Sequence, residues 1–184
     1  MSLEEKQEIY VSVDVETAGP NPSHYALLAI GACLVDDPEL SFYVEIQPTS
    51  LEVTEEALAV SRLSLEELVE TGAPPMDAML QFETWLKTKI PRNGRPVFVG
   101  FNAPFDWMFV NDYFHRFLGH NPFGHTALDI KAFFMGLTGS SWSETTYHRI
   151  SSHTWEAHAL SHQALHDAQD QARIFKQLLY ESRV

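Results

Sequence analysis

Asp14-Val15-Glu16 sets two carboxylates two positions apart. On an extended strand that spacing sends both side chains to the same side of the sheet. The pair suits a shared cation site, and it equally suits a solvated strand terminus. Asp106 falls in the first turn of a helix expected after Val97-Phe98-Val99-Gly100-Phe101-Asn102. As a plain helix-dipole partner it would contribute roughly 0.3–1 kcal/mol, yet it sits between Phe105 and Trp107, an unusual setting for a surface acid. Asp167, within His162-Gln163-Ala164-Leu165-His166-Asp167-Ala168, borders the apolar face of the last expected helix. Five residues of continuous helix rotate a side chain by about 500°. His162 and Asp167 would then face different ways, so His162 is placed on a loop approaching the helix. His158, His162 and His166 recur every four residues and read literally as a metal-binding stripe. Hard divalent ions such as Mg²⁺ or Mn²⁺ favour the carboxylates instead.

These acids need elements to carry them. Glu8 to Asp14 alternates apolar and polar residues and predicts a strand ending at Asp14. Tyr25–Val35 and Leu40–Ile46 predict two more, joined by the short polar link Asp36-Asp37-Pro38-Glu39, so the first three strands form a meander. Thr54 with Glu55 and Glu56 can start a short helix, Ser64 with Glu67 resembles a capping box, and Pro75 opens a longer helix through Lys89. Val97–Gly100 reads as a buried strand, followed by Asn102 as N-cap and a helix ending at Gly119. Ala127-Leu128 ends a last strand, and Asp129 caps a helix stopping near Gly136. Residues 139–154 are polar and aromatic and read as irregular, a candidate cover for a substrate entrance. From Ala164 apolar residues recur at steps of three or four, giving a terminal amphipathic helix. The order of elements implies a mixed α/β sheet.

The chain of 184 residues, 45% apolar, is the size of one domain spanning 1–184. No apolar run reaches the roughly 18–20 residues of a membrane span, and the acidic start Met1-Ser2-Leu3-Glu4-Glu5 does not resemble a signal peptide. A cytoplasmic protein with no membrane partner is expected. Cys33 lies in an apolar run and reads as a buried structural thiol. A net charge of −13 and a pI near 5.0 argue against a broad basic face for long duplexes. A short or single-stranded nucleic acid remains compatible, because two divalent ions on four carboxylates add +4 locally.

Taken together, Asp14-Val15-Glu16-Thr17, Asn102-Ala103-Pro104-Phe105-Asp106 and His162-Gln163-Ala164-Leu165-His166-Asp167-Ala168 resemble the three motifs of the DnaQ-like (DEDDh) 3′→5′ exonuclease family, in order, over Ile9 to Leu179. The resemblance implies a ribonuclease H-like α/β fold, a five-stranded mixed sheet flanked by helices. It also implies release of nucleoside 5′-monophosphates from the 3′ ends of single-stranded DNA or RNA. Carried over by motif position, Asp14 bridges two Mg²⁺ ions, for which Mn²⁺ can substitute. Glu16 and Asp106 complete the shell, Asp167 binds the ion holding the nucleophile, and His162 is the general base. Thr17, Ala18 and Leu27 are candidates to line the terminal nucleotide, and Phe105 and Trp107 to stack a base or fill the core. Proofreading-type relatives carry a histidine-glycine pair where this chain has Ser61-Arg62. Related exonucleases often pair, so a homodimer is part of the expectation, although no heptad or apolar tail requires it. The rival expectation from another class is a catalytically inactive, nucleic-acid-binding exonuclease-like module.

Overall fold

The computed structural model describes residues 6–57, 63–154 and 161–183. Its centre is a five-stranded sheet in the order β3-β2-β1-β4-β5, built from β1 (Gln7–Thr17), β2 (Leu27–Leu34), β3 (Ser41–Glu45), β4 (Gly94–Gly100) and β5 (Ala127–Asp129). β1, β2 and β3 pair antiparallel as a meander, while β4 and β5 join parallel to β1, which makes the sheet mixed. The helices are α1 (Leu65–Thr71), α2 (Pro75–Lys89), α3 (Ala103–Leu118), α4 (Ile130–Thr138), α5 (Tyr147–His153) and α6 (Ala164–Glu181).

Alternation along β1 divides the core. Val11, Val13 and Val15 pack with Met79, Phe82 and Leu86 of α2 and Phe109, Val110 and Phe114 of α3. On the opposite face Tyr10 meets Phe175 of α6 edge-on at 5.4 Å, within a cluster holding Val99, Ile130, Phe134, Ile150 and Leu178. Asp14 and Glu16 share the parity of Tyr10 and therefore belong to the α6 face. Cys33 is fully buried there; desolvation pushes its thiol up to about 12, as expected of a structural cysteine.

Several expected boundaries move. β1 continues past Asp14 to Thr17, because β2 supplies partners as far as Leu27, with a register shift between Glu16 and Thr17. Asn102 occupies the N-cap position of α3 in the left-handed region (φ 64°), but its side chain caps nothing. Asp129 Oδ2 instead accepts from Ala103 N–H at 2.7 Å, and its Oδ1 accepts from Ala132 N–H at 2.7 Å, so one carboxylate serves the first turns of two helices. α4 runs through Gly136 to Thr138 and is closed by Gly139 in the left-handed conformation. Residues 139–154 are mostly ordered: a 3₁₀ turn at Trp142–Glu144 precedes α5, whose first turn is capped by Thr146 and which buries Ile150. The expected short helix after Thr54 begins at residues 55–57, while Ser61-Arg62 lies outside the described residues.

α6 lies directly on the backbone of β2. A Cβ built on Gly31 would stand 2.2 Å from the carbonyl carbon of Ala164 and 2.3 Å from the nitrogen of Leu165. Both are backbone atoms at the start of the helix, so no side-chain rotation relieves the contact. Gly31→Ala is therefore expected to force α6 off the sheet and to destabilise the fold by about 3 kcal/mol, the upper range for overpacking. Thermal melting compared with a Gly136→Ala control, which has open space around it, checks this.

Candidate active site

The site gathers where β1, the β4–α3 turn and the start of α6 meet. Pairing between β1 and β4 ends at Ser12–Val99, after which that edge of β1 has no strand partner among the described residues. α3 fills the gap: Val15 N–H donates to Asp106 Oδ1 at 3.1 Å. The acid from the second sequence motif is thus fixed to the strand bearing the first.

Asp167 enters from α6 and is held from the loop before it. Its Oδ1 accepts from Ser161 N–H at 2.8 Å and Ser161 Oγ–H at 2.9 Å, and its Oδ2 accepts from His162 N–H at 2.9 Å. His162 adopts φ 53°, so the chain turns sharply just ahead of α6 and leaves the imidazole exposed at the cleft wall. Placement of His162 ahead of the helix follows the rotation argument made from the sequence.

Asp14, Glu16 and Asp167 each offer an oxygen within 4.8 Å of the others. Among the described residues this all-carboxylate group is the one with metal-ligand spacing. Asp106 stands outside it, against Val15, yet near enough for its charge to act on Asp14. His158 of the alternative histidine stripe lies outside the described residues, and His162 is not on the helix that carries His166.

Crowded carboxylates in a half-closed cleft resist ionisation together. Burial pushes Glu16 up to about 7, assisted by the charge of Asp167. Burial likewise raises Asp106 to about 8, against the pull of its backbone hydrogen bonds. Asp14 is held well above the ordinary carboxylate range, first by desolvation and then by Asp106, Asp167 and Glu16. This donor set fits divalent cations: hard oxygens, converging, with uncompensated negative charge. It offers no sulfur or imidazole cage of the kind zinc prefers.

A cleft of about 560 Å³ contains all five motif residues, Asp14, Glu16, Asp106, His162 and Asp167. Thr17 and Phe105 also line it, and Thr17 Oγ–H donates to Gly19 carbonyl at 3.0 Å. The other candidate substrate contacts are placed elsewhere. Ala18 and Leu27 are fully buried in the packing around β1 and β2, and Trp107 meets Phe98 edge-on at 5.3 Å at the border of the core. Core packing claims these three: Leu27 joins the cluster of Val11, Val13 and Val15, Trp107 packs against that cluster, and Ala18 packs with Ala26, Leu28 and Leu68. Sequence reasoning missed Phe101, Asn102 and Gln171, which also line the cleft. The signal for Gln171 is its position four residues after Asp167, one turn along the same helical face.

The titration has a direct consequence for stability. Carboxyls whose pKa is raised by folding keep protons that the unfolded chain, titrating near about 4, has already lost. Their contribution favours the metal-free fold below that value and is lost as pH rises through about 7 to 8 for Glu16 and Asp106. The melting temperature in EDTA should thus fall between pH 5 and pH 8. Excess Mn²⁺ should raise it more at pH 8 than at pH 5, and an equal shift at both would contradict the electrostatic account.

Comparison with known proteins agrees with this geometry. The RNase T exonuclease family model matches residues 11–175. The Escherichia coli protein "3′-5′ DNA exonuclease Cap18" is 45% identical over 170 residues, covering 92% of this chain and 91% of that protein. Among solved structures, the nuclease domain of 3′hExo, a DEDDh family member bound to rAMP, superposes with a TM-score of 0.74 at 11% identity, covering 98% of this chain and 94% of that one. E. coli exonuclease I in complex with a dT13 oligonucleotide gives a TM-score of 0.70 at 15% identity, with coverage of 92% and 40%. The structural neighbours share the ribonuclease H-like fold, and this chain spans less than half of exonuclease I. With its sheet order, its clustered acids and a family match over most of its length, the chain belongs to the DnaQ-like 3′–5′ exonucleases.

Proposed function

We propose that this 3′→5′ exonuclease is of the DEDDh type and removes nucleoside 5′-monophosphates from single-stranded DNA, acting as one domain over residues 1–184. The observation that carries the reading is the convergence of Asp14, Glu16 and Asp167 within 4.8 Å in a cleft that His162 also lines. DNA is preferred over RNA as substrate because the 45%-identical relative bears the name of a DNA exonuclease.

In this mechanism Asp14, Glu16, Asp106 and Asp167 would hold two Mg²⁺ or Mn²⁺ ions. The chemistry supplied by the bound ions is charge neutralisation at the scissile phosphate and acidification of the attacking water. His162 accepts the proton of that water. Its backbone is anchored to Asp167 Oδ2 while its ring stays free, so the base is tethered beside the acids and can still swing over the phosphate. Thr17 and Phe105 line the space for the terminal nucleotide, Phe105 offering a ring face to the base. Phosphate charge meets an acidic protein here, so substrate entry depends on cations occupying the acids first.

Release of mononucleotides from 5′-labelled and 3′-labelled oligonucleotides of DNA and RNA tests the proposal. Mg²⁺- or Mn²⁺-dependent trimming from the 3′ end, abolished by EDTA, is expected, with DNA cut faster than RNA. Asp14→Ala and Asp167→Ala should abolish hydrolysis. His162→Ala should lower kcat by roughly 10²–10⁴, the usual range for a general base, with oligonucleotide binding retained. Full activity in Asp14→Ala would overturn the site assignment. Binding of oligonucleotides without cleavage, with every metal and substrate, would instead indicate the inactive binding module.

A further inference from the structure

We infer that Gln171 is a positioning residue for the metal-binding carboxylates, aligning Asp14 by bridging it to the main chain of the β4–α3 turn. Gln171 is 1% exposed, and both ends of its amide are engaged. Its Nε2 donates to Asp14 Oδ1 at 2.6 Å, and its Oε1 accepts from Phe101 N–H at 2.9 Å.

The two partners fix the amide's orientation. A backbone N–H can only donate, so the oxygen end of Gln171 must face Phe101. The NH₂ end is left for Asp14, whose Oδ1 must then accept. The carboxylate is thereby held by one oxygen, and rotation about its terminal torsion, otherwise broad, is restricted. Oδ2 remains available to a cation. Among the described residues Asp14 is the one cleft acid anchored by a side chain from a different element: Asp106 is held by Val15 N–H, and Asp167 by the loop immediately before its helix.

The second bond gives the bridge its reach. Phe101 lies between β4 and α3, and Phe101 and Asn102 both line the cleft. By holding Phe101 N–H, Gln171 of α6 ties the turn that launches Asp106 to the strand that bears Asp14. One neutral side chain thus connects three parts of the site. Neutrality matters, since a cationic donor at this position would offset the negative charge that attracts the ions, while an acid would add a further repulsion.

The inference rests on the metal-dependent reading above, and direct Mn²⁺ binding separates the two. By isothermal titration at pH 8, Gln171→Met, similar in length and without polar ends, should bind Mn²⁺ about 10- to 100-fold more weakly than wild type, the usual loss when a group orienting a metal ligand is removed. The Mn²⁺ concentration giving half-maximal hydrolysis should rise in step. Gln171→Asn retains polarity but is too short to span both partners, so it should also weaken binding, and it decides the matter if the Met variant does not fold. Folded variants binding Mn²⁺ within twofold of wild type would overturn the role of Gln171 alone. Wild-type protein that binds no Mn²⁺ would overturn the metal-dependent reading and this inference together.

Discussion

Bringing several carboxylates into one partly desolvated place is the constraint on which the rest of this structure depends. Desolvation first, and repulsion between neighbouring charges second, raises the pKa values of Asp14, Glu16 and Asp106. The fold holds three of them with neutral donors: Val15 N–H on Asp106, Ser161 and His162 N–H on Asp167, and the Gln171 amide on Asp14. None of these donors is a lysine or an arginine. Negative charge is therefore oriented without being cancelled, which is what a site for divalent cations requires.

That orientation depends on the close approach of α6 to β2. Asp14 pairs across the sheet with Gly31, and the absence of a Cβ at Gly31 lets the first residues of α6 rest on the strand beside Asp14. Asp167 and Gln171, one turn apart on the buried face of α6, then face Asp14 together. The hydrophobic part of the same helix, Ala172, Phe175 and Leu178, supplies burial that keeps it there. Packing and chemistry are thus arranged along one helix, with polar contacts at its first turns and apolar ones beyond.

Much of this was legible in the sequence where residue type and period agreed. The limits of α2, the meander, the 129 cap and the start of α6 follow from proline, turn residues, a capping acid and helical spacing. The resemblance of three motifs singled out the acids and His162, and the structure brings all five residues to one cleft. Other features depended on tertiary context. β1 extends past Asp14 because β2 is there to pair with it, a fact absent from local pattern. Gly136 looks like a helix stop but has no neighbour to disturb, and α4 passes through it. α5 reads poorly because Ser151, Ser152 and His153 carry little helical preference, and burial of Ile150 offsets that. Gln171 was overlooked because an amide carries no charge and draws attention only once its two partners are known.

The bridge from Gln171 to Asp14 spans 157 positions of chain, and the β1–β4 pairing that delivers Asp106 must form before the first acid is framed on both sides. Contacts of such long sequence separation carry a loop-closure cost that local contacts do not. A chain that has collapsed around the β1–β3 meander holds Asp14 and Glu16 but lacks Asp106, Asp167 and His162. A site that needs the whole acid set is consequently a property of the finished topology, and a cation that binds there stabilises the folded chain over the unfolded one by mass action.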